Sequence, residues 1–210
     1  GSGYHADSVT VTSTDTNTGD GSVVISYAIT GTTTTLTASP TPGVFGTQTT
    51  LTATVTPVSG TDKPTGTVTF ADGSTTLGTA AVDPVAGTAT LALALHAGDH
   101  SITASYASDD GFDPSSSSPL SYTVSPAHTT VTVTAAPNPG TAGTPVTLTA
   151  IVSPTSGTDK PTGTVTFFDG TTTLGTAEVD PGTASLIVSL PAGTHSITAV
   201  YNGTADFTTS

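Results

Sequence analysis

Twelve residues of this chain are written twice. The string Ser59-Gly60-Thr61-Asp62-Lys63-Pro64-Thr65-Gly66-Thr67-Val68-Thr69-Phe70 returns unchanged at Ser156–Phe167, so that Thr61 reappears as Thr158, a step of 97 residues. The same step pairs Leu36 with Val133, Leu51 with Leu148, Val55 with Val152 and Leu77 with Leu174. After the inserted Val85-Ala86 it becomes 95, pairing His100-Ser101-Ile102-Thr103-Ala104 with His195-Ser196-Ile197-Thr198-Ala199. A chain of near-copies must fold as one structural unit used repeatedly. At 210 residues, with roughly 100–150 residues per domain, the chain has room for two small domains with cores of their own.

Inside each unit apolar residues alternate with threonine. Thr49, Leu51, Ala53 and Val55 face one way and Thr50, Thr52, Thr54 and Thr56 the other, which is the period of a half-buried strand. Val68 with Phe70, Ala89 to Leu95, Ile102 to Tyr106 and Leu120 to Val124 give four more, and strands around Leu36 and Leu77 bring the count to seven. Pro40-Thr41-Pro42-Gly43 and Asp83-Pro84 punctuate them as turns. Threonine is β-branched and suits a pleated surface, so the fold class is all-β, with sandwich domains in series. Only 2 Lys+Arg stand against 15 Asp+Glu, a net charge of −13, which excludes nucleic acid as a partner. There is no cysteine, hence no disulfide or thiolate metal site. No apolar run approaches the roughly 18 residues of a membrane span, so no membrane insertion is expected in this segment. With no methionine, the chain reads as a processed product or an excised piece.

The Thr-rich opening strand, the Pro-x-Pro turn, the Pro-Thr-Gly-Thr-Val-Thr-Phe strand, a Leu-Gly-Thr segment and the Ala-Gly-x-His-Ser-Ile-Thr-Ala-x-Tyr ending are readable twice over residues 31–210. This pattern resembles the bacterial Ig-like repeats of long secreted and surface-attached proteins. The resemblance implies tandem Ig-like sandwiches without the antibody Cys-Trp-Cys core, an extracellular or cell-surface location, and no catalytic residues. The expected division is an N-terminal strand segment over 1–30, one Ig-like domain over 31–126 and a second over 127–210. The short Ser125-Pro126-Ala127 connection predicts a stiff junction.

Ile25-Ser26-Tyr27-Ala28-Ile29 matches Leu120-Ser121-Tyr122-Thr123-Val124, the last strand of the first unit, so residues 4–30 read as the final two strands of a preceding unit. The second unit stops at Phe207-Thr208-Thr209-Ser210, before that strand. Three explanations stay open: a window on a longer tandem array, adjustment within the monomer, or strand addition between copies. In the last, Val23, Ile25, Tyr27 and Ile29 are donated to the second unit of a neighbour.

Other candidates are weaker. Asp15, Asn17 and Asp20 precede the strand at Val23, and Asp109, Asp110 and Asp113 hold the equivalent place in the first unit. Such oxygens could bind Ca²⁺, yet Gly19 and Ser26 break the EF-hand pattern. His96, Asp99, His100 and His128 invite a zinc reading, but Pro191 and Thr194 replace two of them in the second unit. His100 and His195 therefore read as hydrogen-bonding residues that close a hairpin. Lys63 and Lys160 sit in a turn before proline, where an internal isopeptide bond is not expected. Asn202-Gly203-Thr204 fits an N-glycosylation sequon. No hydrolase elbow or acid pair argues for an enzyme. The expected function is mechanical, a stalk or fibre segment. Its partners would be other copies or neighbouring Ig-like repeats, with a host or surface glycan or protein as the alternative. Tyr4, Phe45 and Phe112 are the loop aromatics available to stack on a sugar.

Overall fold

The computed structural model describes residues 9–13, 23–27, 29–107 and 111–210, the first two stretches through their backbone alone. Asp15, Asn17, Asp20, Asp109 and Asp110, all calcium candidates, lie outside the described residues, as does Tyr4. Among the described residues each regular element is a strand, so the all-β reading of the threonine alternation holds. β1 (Val9–Ser13) and β2 (Val23–Tyr27) form a two-stranded antiparallel sheet with Val11 opposite Ile25. The first repeat supplies β3 (Thr32–Ser39), β4 (Gly43–Val44), β5 (Thr49–Pro57), β6 (Thr67–Asp72), β7 (Thr75–Ala81), β8 (Thr88–Leu93), β9 (Gly98–Ala107), β10 (Ser115–Ser116) and β11 (Leu120–Ser125). The second supplies β12 (Thr129–Ala136), β13 (Pro145–Pro154), β14 (Gly163–Asp169), β15 (Thr172–Val179), β16 (Thr183–Ser189) and β17 (Ile197–Tyr201).

In the first repeat one sheet runs β3-β5-β8 and the other β4-β11-β9-β6-β7, with β10 attached to β9. In the second the sheets are β12-β13-β16 and β15-β14-β17. This is the layering of an Ig-like sandwich. The strand period explains which side chains fill it. On β5 Thr49, Leu51, Ala53 and Val55 are buried while the threonines between them are half-exposed or exposed. Phe70, Ile102 and Tyr106 complete the core of the first repeat, and Leu148, Val165, Phe167 and Tyr201 that of the second. Thr32 and its counterpart Thr129 hydrogen-bond Ser115 and Ser210 at 2.7 Å, tying each opening strand to the last stretch of its own repeat.

Packing divides the described residues into two compact units. The first holds the residues up to Ser39, Thr50–Ala92 and His100–Tyr122; the second holds Pro40–Thr49, Leu93–Asp99 and Thr123–Ser210. Two loops of the first repeat thus belong to the second unit.

Among the described residues the second repeat has no counterpart of β4, β10 or β11, and the strand next to them differs too. β9 is ten residues long, whereas β17, its counterpart, is five. The extra length of β9 includes Gly98–Ser101, whose counterparts Gly193–Ser196 belong to no strand. β11 lies between β9 and β4 in the first repeat, and no described strand takes that place beside β17. Only Tyr201, at its far end, exchanges backbone hydrogen bonds with Ser210. Burial follows: Ile102 and Ala104 are 0 % exposed, while Ile197 and Ala199 are only half-buried.

Candidate functional site

The unpaired edge of β17 borders a groove in the second unit. Its volume is about 500 Å³, and Val146, Leu148 and Leu190 give it an apolar floor, with Gly140, Thr141 and residues 193–195 along its rim. Gly140 and Thr141 on that rim are the counterparts of β4, beside which β11 runs in the first repeat, where Val124 lies opposite Gly43 in a parallel pair and Tyr122 and Val124 are each 2 % exposed. A strand edge with free N–H and C=O groups beside apolar side chains is a template for another strand.

The histidines do not come together. His100 Nδ1 lies 2.7 Å from Asp72 Oδ2, and the Ser101 N–H donates to Asp72 Oδ1 at 2.9 Å. The second repeat builds the same device: His195 Nδ1 is 2.6 Å from Asp169 Oδ2, and the Ser196 N–H donates to Asp169 Oδ1 at 3.0 Å. Each carboxylate at the end of β6 or β14 thereby pins the strand beside it. The carboxylates went unrecognised in the sequence, although Asp72 and Asp169 recur at the repeat step and each precedes a glycine. His96 instead meets Asp206, 3.0 Å from Nδ1 to Oδ2, and His128 faces the Thr208 hydroxyl at 3.4 Å. Among the described residues no group of three His, Cys, Asp or Glu side chains could hold a metal ion.

His195 has acceptors on both sides, because its Nε2 lies 3.0 Å from the Pro191 carbonyl oxygen. A neutral imidazole donates once; the imidazolium satisfies both acceptors. The Pro191 carbonyl and then Asp169 accordingly raise the His195 pKa above 6.5, while the hydrogen bond from His195 lowers that of Asp169 below 3.8. A raised histidine pKa stabilises the fold below 6.5, and that contribution is lost as pH rises through the folded value. A lowered carboxylate pKa stabilises it above 3.8, and that contribution is lost as pH falls through the folded value. Thermal unfolding followed by circular dichroism should therefore show the second unit losing stability from pH 6 to pH 8.5. His195→Gln should flatten that slope; an unchanged slope contradicts the pairing.

A second cluster surrounds Phe45 in the second unit. Its ring stacks on His96 with centroids 5.7 Å apart and meets Phe207 edge-on at 5.2 Å. The Asp206 carboxylate accepts from the Ala97 N–H at 2.8 Å as well as facing His96. Phe45 is thus half-buried against Phe207 and His96, which leaves less of its ring open to a sugar than a lone loop aromatic would offer. Behind the cluster Ala127 and Phe207 form a parallel bridge, and Thr30 and Phe112 form its counterpart in the first unit.

Of the remaining candidates, Asp113 uses its backbone, accepting from Thr32 Oγ1 at 2.7 Å through its carbonyl. Asn202 Nδ2 donates to Thr164 Oγ1 at 2.8 Å and Thr166 Oγ1 at 3.1 Å, so a glycan on that nitrogen would take one of the two N–H donors and break one of these bonds. Lys63 and Lys160 are exposed. Val23, Ile25 and Tyr27 lie on β2, and Ile29 follows it, 60 % exposed.

No curated protein matches this chain. Among solved structures the human OSCAR ligand-binding domain is similar at 16% identity, with a TM-score of 0.34, over 80% of this chain and 88% of that one, a likeness too slight to carry an argument. A family model described as "Bacterial Ig-like domain (group 3)" matches residues 36–125 and again 133–210. Two matches that follow the repeat and together span most of the sequence, on a sandwich of the right layering, place the chain: it belongs to the bacterial Ig-like domain family, group 3.

Proposed function

We propose that this chain is a structural segment of an extracellular bacterial surface protein, a tandem Ig-like stalk or fibre that spaces, displays or adheres. The supporting observation is that the second unit takes in the loops 40–49 and 93–99 of the first repeat, so that the repeats share packed residues such as Phe45 and Phe207. A flexible tether would leave those loops solvated. The domains proposed are 31–126 and 127–210, preceded by the strand segment 1–30.

A second reading, a subunit that assembles with other copies by strand addition, is favoured by the open β17 edge and the half-buried Ile197 and Ala199. Light scattering and negative-stain microscopy of residues 1–210 test both, beside a version lacking residues 1–30 whose folding is checked by circular dichroism. Because the net charge is −13, assembly should strengthen between 20 and 200 mM salt, as screening shortens to about 10 Å near 0.1 M. Chains of particles from the full sequence alone support strand addition. Monomers from both at all salt concentrations leave the stalk reading and remove the other.

A further inference from the structure

We propose that the end of the second repeat is a docking surface selective for the repeat before it: Asp206 and Phe207 accept a repeat with histidine and phenylalanine at the places of His96 and Phe45 over one with the proline and alanine that the second repeat carries there. The inference rests on the stalk reading and names the partner that its junction takes.

Among the described residues three carboxylates hold a histidine in one geometry. Asp72 Oδ2 lies 2.7 Å from His100 Nδ1, while its Oδ1 accepts from the N–H of the next residue, Ser101, at 2.9 Å. Asp169 repeats this with His195 and Ser196 at 2.6 and 3.0 Å. Asp206 does the same with His96 and Ala97, at 3.0 and 2.8 Å. In the first two cases carboxylate and histidine belong to one repeat; in the third they belong to two, 110 residues apart. A carboxylate that takes an imidazole and the following N–H recognises a side chain together with the turn that carries it.

The contacts around Asp206, all within the second unit, sort into a part that either repeat could make and a part that chooses. Gly46 and Gly157 approach so closely that a Cβ on Gly157 would lie 2.6 Å from the Gly46 carbonyl oxygen. Their counterparts, Gly143 and Gly60, are glycines too, and the turn itself recurs: the Thr47 N–H donates to the Val44 carbonyl at 3.0 Å, and the Thr144 N–H to the Thr141 carbonyl at 3.1 Å. Ala97 corresponds to Ala192, which keeps its N–H. The backbone contacts are therefore generic.

The side chains are not. Phe45 meets Phe207 edge-on at 5.2 Å, stacks on His96 at 5.7 Å and packs, with Val44, against the core of the second unit. Its counterpart Ala142 has no ring, and Pro191, in place of His96, has no N–H to offer a carboxylate. On the receiving side Asp206 corresponds to Gly111, so the first repeat offers the histidine without the carboxylate and the second the carboxylate without the histidine. The matched pair arises only where the first precedes the second. A preceding repeat with proline and alanine would leave Asp206 one donor short and Phe207 without its ring contact, which is the cost to the wrong partner that selectivity requires.

Amide hydrogen exchange followed by NMR on the full chain tests the selection. The His96 side chain is 83 % exposed, so replacing it leaves the cores untouched, and amides of β5 and β14 should hold the parent rate. In the parent the Ala97 amide, bonded to Asp206, and the Phe45 amide, which donates to the Ser125 carbonyl at 2.9 Å, should both exchange slowly. His96→Pro should speed the Ala97 amide at least tenfold, and Phe45→Ala should do so to a similar extent. In an Asp206→Ala chain His96→Pro should change that rate less than twofold, and His96→Ala, which leaves the backbone of the turn alone, should give the same pattern. Equal acceleration with and without Asp206 would mean that residue 96 shapes its turn rather than meets the carboxylate, and would overturn the proposal. Slow parent amides indifferent to every substitution would also overturn it, and would leave the stalk reading standing. Fast exchange of both amides in the parent would sink the two together.

Discussion

Replacing Phe167 by alanine lowers the stability of the second unit by about 3–5 kcal/mol, and Phe70→Ala does the same to the first. Both rings are 0 % exposed and occupy the same place in the repeated strand, β6 or β14, between the two sheets. With no tryptophan and few aromatics in the sequence, each phenylalanine is a large share of its core, and neighbouring valines and alanines are too short to close the hole. Urea unfolding followed by far-UV circular dichroism gives the measurement. A loss under about 1.5 kcal/mol for either variant would mean that the ring is not the centre of its sandwich.

The main strands were legible because their signal is local. On β5, β6, β9 and β11 a buried side chain every second residue is written directly as Leu, Val, Phe, Ile or Tyr between threonines, and the repeat writes most of them a second time. β4 and β10 were not legible, since two residues have no period and each pairs only because β11 and β9 pass by. The role given to His100 and His195 was right in kind, and their partners were missed for a physical reason. Asp72 and Asp169 end strands at Asp-Gly turns, which reads as solvated turn chemistry, while the imidazoles arrive from residues 28 and 26 further along. Phe45 shows the same limit. A lone aromatic in a Pro/Gly loop looks exposed until the fold supplies Phe207 and His96.

Of the two readings proposed, assembly of copies by strand addition at the β17 edge is tested most directly by Ile197→Asp set beside Ile102→Asp. The two isoleucines are counterparts, yet Ile102 is 0 % exposed in its core and Ile197 is half-buried at the groove. A carboxylate at 102 is buried without a partner and should unfold the first unit, a penalty of at least about 3–5 kcal/mol. At 197 water reaches the side chain, so circular dichroism should stay native with a stability change near 1 kcal/mol. Once a strand covers the groove, however, that charge would lose its water. Light scattering of Ile197→Asp should therefore give a folded monomer at concentrations where the parent forms multimers, a shift of at least a hundredfold. A folded Ile197→Asp that assembles at the parent's concentration would contradict the claim.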